Sequence, residues 1–243
     1  MTYCVGMRLN KGLVFMSDTR TSAGVDNFAV AKKMFDFVVP GERAIIIMTA
    51  GNLATTQAMI SLLNERSKSA ENRSPSIMKQ ETMFQVARLV GATLKEVIAE
   101  SSGNGQTSAD QFGASVIVGG QIAGGQPTVF LIYPEGNFIE ITDDTPFFQT
   151  GETKYGKPIR VRAYDPEMSF EDAVKLLLVS FDSTIKSNLS VGLPFDLAIY
   201  DRDSFEITRQ KRITQDDPVY QAISSGWGDA LRDAFQHLPS YSF

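Results

Sequence analysis

The first eighteen residues alternate hydrophobic and polar positions in a pattern that predicts a β-hairpin. Residues 2–9 alternate in size and polarity, residues 10–12 (Asn-Lys-Gly) form a turn, and residues 13–16 make the returning strand. The pairing returns Asp18 towards Thr2. Residue 2 is small enough to permit removal of the initiator Met, so the mature chain could begin at Thr2. The alternative is an ordinary frayed terminus.

The rest of the hydrophobic pattern predicts groups of strands and helices in alternation. An almost wholly apolar run at 43–50 indicates a strand buried on both faces, and Gly51-Asn52 leads from it into a helix. Apolar residues at helical spacing predict helices at 82–100 and at about 170–186. Further strands are predicted at 28–39, 114–118, 128–133, 138–141, 147–150, 195–200 and 205–209. Further helices are predicted at 151–160, where Pro158 interrupts or opens the helix, and from Pro218 onward. Polar connections are predicted at 19–27, 67–79 and 101–112, and turns within 119–125.

Hairpin connections outnumber strand–helix–strand crossovers, so we expect largely antiparallel sheets. Burying a strand on both faces then requires two packed sheets with helices outside them. We therefore predict an α+β fold, a four-layer αββα sandwich. No linker, repeat or shift in composition divides the chain, so we expect a single domain over 1–243 with a helical tail at about 218–243. The predicted apolar face of that tail, formed by Trp227, Leu231, Phe235 and Leu238, could pack within the chain or form a subunit contact.

The composition narrows the class of protein. The chain has 243 residues, of which 43% are hydrophobic and 21% charged, as in ordinary globular proteins. No run approaches the length of a membrane span. The net charge is −5 and basic residues do not cluster, which argues against nucleic acid or an anionic membrane as partner. A single Cys excludes an intrachain disulfide framework and suits a reducing cytoplasm.

The single histidine, His237, limits the possible chemistry. A His-rich metal site is excluded, and His237 is expected near a helix end in solvent. A hydrolase with this sequence would therefore use an amine or a carboxylate as its base. The Asp pairs at 143–144 and 201–203 are interpreted as turn residues, and Cys4 as a core residue, so no metal or cofactor is expected.

Thr2, Asp18 and Lys33 together could supply hydrolytic chemistry. A Thr hydroxyl needs a nearby base, and a free α-amine has a pKa of about 7.7–8.0, close to neutral pH. A buried Lys could lower the hydroxyl's pKa, and a paired carboxylate would keep that Lys charged. The structural alternatives are that Asp18 caps a turn and that Lys33 is a solvated strand residue.

The order and spacing of four motifs resemble the proteasome β-subunits, which are N-terminal-nucleophile hydrolases. The motifs are Thr2 opening a hairpin, Ser17-Asp-Thr-Arg20, Lys33-Met-Phe35 and Thr49-Ala-Gly-Asn-Leu53. Two further segments, Gly151–Pro158 and Ser187–Pro194, resemble Anbu, the bacterial "ancestral β subunit" family. The resemblance covers essentially the whole chain.

The resemblance implies roles for individual residues. Thr2 would be the nucleophile and, through its own amine, the base, while Lys33 would tune the hydroxyl and Asp18 would hold Lys33. The backbone N–H of Gly51 would serve the oxyanion hole, and Ser190 would support the amine. The implied walls of a modest, mostly apolar substrate pocket are Thr21, Ala31, Phe35, Thr49 and Leu53.

Two positions depart from the family pattern. Ser187 stands where an Asp is usual, and Glu152 replaces the supporting hydroxyl of a Gly-Ser-Gly turn. These departures concern the surroundings of the amine rather than the identity of the nucleophile.

The resemblance implies a bacterial cytoplasmic threonine-type peptidase or amidohydrolase that forms a ring or an open helical homo-oligomer. Such an enzyme would cleave peptide or other amide bonds through a Thr2 acyl-enzyme once Met1 is removed. The alternatives are a self-assembling subunit with weak or no activity and an amidase acting on a small molecule. The sequence names no substrate, subunit number or ATPase partner.

Overall fold

Two five-stranded antiparallel sheets form the centre of the computed structural model, which describes residues 1–22, 28–68, 75–102 and 111–243. The strands are β1 (Tyr3–Leu9), β2 (Gly12–Asp18), β3 (Arg20–Ser22), β4 (Phe28–Val30), β5 (Met34–Val39), β6 (Arg43–Gly51), β7 (Ala114–Ile122), β8 (Thr128–Ile132), β9 (Phe138–Glu140), β10 (Phe147–Gly151), β11 (Phe195–Asp201) and β12 (Arg209–Ile213). The described helices are α1 (Leu53–Ser67), a 3₁₀ turn (Ile77–Lys79), α2 (Met83–Ser102), α3 (Lys157–Ala163), α4 (Phe170–Ile185) and α5 (Pro218–Gln236).

The order of strands puts the N-terminal hairpin at the centre of one sheet. That sheet runs β10-β1-β2-β11-β12, the second runs β5-β6-β7-β8-β9, and β3 and β4 form a small separate ribbon. The hairpin register pairs Cys4 with Ser17, and Phe195 of β11 pairs with Asp18 on the other side of β2. The predicted hairpin is therefore confirmed.

Three hydrophobic clusters fill the spaces between four layers. Strand β6 shows this most clearly, because Ile45 and Ile47 pack towards α1 and α2 while Ile46 and Met48 pack between the sheets. Helix α4 covers the outer face of the other sheet. The αββα sandwich predicted from the run at 43–50 is therefore confirmed.

Strand 28–39 was predicted as continuous, and this is wrong, because the chain leaves strand geometry between β4 and β5. The backbone N–H of Ala31 donates to the carbonyl of Thr19 at 2.8 Å, and the carbonyl of Lys33 accepts from Thr49 at 3.0 Å. Residues 31–33 therefore have no regular strand pairing between β4 and β5. The side chain of Lys33 is buried at this break. The break determines where the candidate site forms.

One turn assignment and one strand assignment were also wrong. Gly119 and Gly120 lie inside β7, and a Cβ at Gly119 would come within 2.7 Å of the Phe15 ring, so glycine is required by close packing rather than by a turn. The last strand occupies 209–213 instead of 205–209, because the chain turns through Asp203 and Phe205 with φ of 63° and 52°.

The start of one helix also differs from expectation. Helix α3 begins at Lys157 rather than near residue 151, and Pro158 lies in its first turn, where proline suits a helix. The polar connection at 67–79 includes the 3₁₀ turn. Much of the predicted connections at 19–27, 67–79 and 101–112 lies outside the described residues.

Helix α5 ends the fold. Asp217 caps it by accepting hydrogen bonds from the N–H groups of Val219 and Tyr220. Of its predicted apolar face, Leu231, Phe235 and Leu238 are at least half exposed. Within the described ranges, no helix combines the length and apolarity needed to span a bilayer.

Candidate active site

Asp18 ends β2 directly beside the beginning of β1, as the hairpin register dictates. Its side chain is fully buried. One carboxylate oxygen accepts the backbone N–H of Tyr3 at 2.9 Å, and the other accepts that of Gly192 at 3.3 Å. The carboxylate thus ties the N-terminal strand to the loop before β11.

Lys33 is the cation that pairs with this carboxylate. Its Nζ lies 2.7 Å from Asp18 Oδ1 and donates to the carbonyl of Arg20 at 2.5 Å, and the residue is only 4% exposed. Burial raises the pKa of Asp18, whereas the ion pair with Lys33 and the two backbone donors lower it. The structure therefore brings these two predicted residues into direct contact.

Thr2 directly precedes Tyr3, whose N–H donates to Asp18, and it is 7% exposed, whereas Met1 is 61% exposed. With Met1 attached, the nitrogen of Thr2 is an amide and cannot act as a base. Burial, followed by the charge of Lys33, lowers the pKa of the Met1 α-amine, and Asp18 opposes that effect. The chain terminus therefore lies in the field of the Asp18–Lys33 pair.

Gly51 lies where β6 ends, just before α1. Its φ is +112°, and a Cβ would lie 2.5 Å from the carbonyl oxygen of Gly113, so this position requires glycine. Asn52 caps α1 through its side chain, which accepts the N–H of Thr55 at 3.1 Å. The strand-to-helix junction predicted for Gly51 is present.

The predicted pocket residues lie on the small β3–β4 ribbon, on the segment around Lys33, on β6 and on α1. Thr21 pairs with Ala29 in the small ribbon, Phe35 lies in β5, and Leu53 opens α1. Thr49 is buried, while Thr21, Ala31, Phe35 and Leu53 are half-buried. Their role as pocket walls stays a prediction.

A hydrogen-bonded chain that the sequence pattern does not predict connects Ser190 to the N-terminal strand. The N–H of Ser190 donates to Asn188 Oδ1 at 3.0 Å, and Asn188 Nδ2 donates to Glu152 Oε2 at 2.9 Å. The N–H of Glu152 in turn donates to the carbonyl of Thr2 at 2.7 Å. Ser187 is exposed. Asn188 lies within Ser187–Pro194, one of the segments that resemble Anbu, but no sequence signal indicates a role for it.

The other candidate groups, His237 and Cys4, do not take part in these contacts. His237 is exposed at the end of α5, with Nδ1 2.7 Å from the carbonyl oxygen of Asp233. Cys4 is fully buried between the sheets, and burial raises its thiol pKa. No group of three or more potential metal ligands occurs in the part of the chain that the structure describes.

Comparison with known proteins defines the class of the chain. The proteasome subunit family model matches residues 2–199. The proteasome subunit beta 2 of Pyrobaculum calidifontis is 26% identical over 202 residues, which span 82% of this chain and 88% of that protein. The chain belongs to the proteasome subunit family.

Solved structures narrow this class. Anbu (ancestral beta-subunit) from Yersinia bercovieri is 45% identical, with a TM-score of 0.91 over 99% of this chain and 100% of that one. The helical assembly of the Anbu complex from Pseudomonas aeruginosa is 48% identical, with a TM-score of 0.91 over 99% and 98% of the two chains. The chain belongs to the Anbu branch of the proteasome family.

Proposed function

We propose that this protein is a bacterial cytoplasmic threonine hydrolase that cleaves peptide or other amide bonds after Met1 is removed. The observation that carries the proposal is the burial of Thr2, one residue before Tyr3, whose N–H donates to the buried Asp18–Lys33 ion pair. Membership in the proteasome family supports peptide-type chemistry.

The proposed reaction uses the two functional groups of residue 2. The free amine of Thr2 takes the proton of the hydroxyl, which attacks the substrate carbonyl and forms an ester bond to the enzyme. The cationic Nζ of Lys33 stabilises negative charge on the hydroxyl oxygen. The N–H of Gly51 donates to the developing oxyanion. The leaving amine takes up the transferred proton, and water then hydrolyses the ester.

Substrate hydrolysis by matched variants tests this function. Wild-type protein, Thr2→Ala, Thr2→Ser and the control Thr145→Ala, which alters an exposed threonine, are compared on a peptide library and a panel of small amides. Activity in the wild type and the control, loss in Thr2→Ala and retention in Thr2→Ser support the assignment. Equal turnover by Thr2→Ala contradicts it. Turnover restricted to small amides would identify an amidase.

A second candidate function, a self-assembling subunit with weak or no activity, is favoured by the surface of α5. A largely apolar cavity of about 620 Å³ opens beside Trp227 and Leu231, and Phe235 and Leu238 are exposed nearby in the sequence. The Pseudomonas aeruginosa relative is described as a helical assembly. Light scattering and electron microscopy of the wild type and Leu231→Asp test homo-oligomer formation, which the variant should weaken. Assembly without any Thr2-dependent turnover would favour this candidate.

A further inference from the structure

Glu152 is a buried carboxylate that no cationic side chain pairs with in the described ranges. Three acidic residues are buried in the described ranges, namely Asp18, Glu152 and Asp182. Asp18 pairs with Lys33, and Asp182 pairs with Lys186 at 2.6 Å. Glu152 is 4% exposed, and within those same ranges no Lys or Arg forms an ion pair with it. A buried charge is costly unless a counter-charge or strong donors compensate for it.

Neutral donors hold Glu152 in its ionised form. Burial raises the pKa of this carboxyl, but hydrogen bonds from the backbone N–H of Lys154 and from the side chain of Asn188 outweigh burial, so the pKa lies below its ordinary value. The group is therefore an anion at neutral pH. It provides a negative charge that no side chain in the described part of the structure neutralises.

The backbone of Glu152 contacts the chain terminus directly, and its carboxylate is linked to the terminus through Asn188. The N–H of Glu152 donates to the carbonyl of Thr2, and Asn188 Nδ2, which donates to the carboxylate, lies 3.9 Å from Met1 Sδ. Removing Met1 takes away this thioether and creates a positive charge on the nitrogen of Thr2. The new cation would then lie one residue link from the backbone of Glu152, whose carboxylate has no cationic partner in the described ranges.

We propose that Glu152, held in place by Asn188, is the counter-charge of the Thr2 ammonium and increases the proton affinity of that amine. This inference rests on the proposed function only in requiring a chain that begins at residue 2. Glu152 is a positioning residue, since it acts through the amine. The other charged groups facing the terminus are Lys33, which disfavours the ammonium, and Asp18, which favours it. Glu152 shifts this balance towards the ammonium.

Titration of the amine tests the inference without substrate. Full chains beginning at residue 2 are released from an N-terminal ubiquitin fusion and carry Thr2→Ala, so no turnover is involved. The pH dependence of α-amine labelling by an amine-reactive reagent, followed by mass spectrometry, gives the amine pKa. We expect Glu152→Gln to lower this pKa by about one unit, a tenfold change in the protonation ratio. The control Glu206→Gln removes an exposed carboxylate and should leave it unchanged.

Asn188→Ala provides an independent variant in case Glu152→Gln does not fold, and it should lower the amine pKa by a smaller amount. In the Thr2 chain, the acid limb of the kcat/KM profile should move down in pH with Glu152→Gln. A structural role alone would lower kcat without moving that limb. An amine pKa equal to that of Glu206→Gln in both variants overturns the inference, whatever the hydrolytic activity of the wild type.

Discussion

The buried Asp18–Lys33 pair gives the strongest quantitative prediction, because removal of one partner leaves an uncompensated charge. Both side chains are at most 5% exposed. Breaking such a pair typically costs 3–5 kcal/mol, against about 0–1 kcal/mol for a surface pair. Lys33→Met leaves Asp18 with two backbone N–H donors, so we expect a cost of about 3 kcal/mol. Asp18→Asn leaves Lys33 with the Arg20 carbonyl, so we expect a cost of about 4–5 kcal/mol.

The pH dependence of the Lys33→Met penalty gives a second check on the same reasoning. Without Lys33, burial keeps the folded-state pKa of Asp18 above its unfolded value of 3.8. A carboxyl whose pKa is raised in the folded state makes the protein less stable as the pH rises above the pKa of that carboxyl in the unfolded chain. The penalty should therefore be small near pH 4 and larger at pH 7.

Urea unfolding followed by circular dichroism measures these differences, with Asp18→Asn/Lys33→Met completing a double-mutant cycle. The double variant should cost clearly less than the sum of the two single variants. Single-variant costs below ~1 kcal/mol with additive behaviour would refute the reasoning, because they are the values expected of a solvated pair.

Three further substitutions test local packing, each by the change in the free energy of unfolding. Gly51→Ala should cost about 1–3 kcal/mol and abolish turnover, because φ is +112° and the new Cβ meets the Gly113 carbonyl; unchanged stability would contradict the strained junction. Gly119→Ala should cost about 1–3 kcal/mol through overpacking against Phe15. The control Gly226→Ala in α5, where the new Cβ meets nothing within 4 Å, should stabilise the protein by about 0.5–1 kcal/mol. Equal effects of the two substitutions would argue against close packing at Gly119. Asp217→Ala should cost about 1 kcal/mol by removing the cap of α5, and a cost near zero would show that the cap is unimportant.

Local pattern predicted much of the fold. The hairpin, the strand buried on both faces and the helix at 82–100 follow from periodicity alone, and all three are present. Periodicity failed where tertiary contacts decide the backbone. The sequence around Gly119 predicts a turn, but Gly119 lies in a strand, where the ring of Phe15 packs against it. That residues 1–243 form a single domain stays a prediction.

The candidate site was predictable only in part. The hairpin register explains why Asp18 lies beside the first strand, but the contact with Lys33 depends on a break in the strand at 31–33 that no local signal indicates. The roles assigned to Thr2, Gly51 and Ser190 stay predictions. The contacts of Glu152 and Asn188 join segments far apart in sequence, so spacing could not reveal them.

The most direct test of the proposed function is the chemistry of residue 2. Intact-mass analysis first establishes whether Met1 is removed, and peptide mapping after treatment with a threonine-directed electrophilic probe then locates the adduct. The account predicts loss of Met1, one adduct on Thr2 and none in Thr2→Ala. Complete retention of Met1, or labelling that persists in Thr2→Ala, would contradict it.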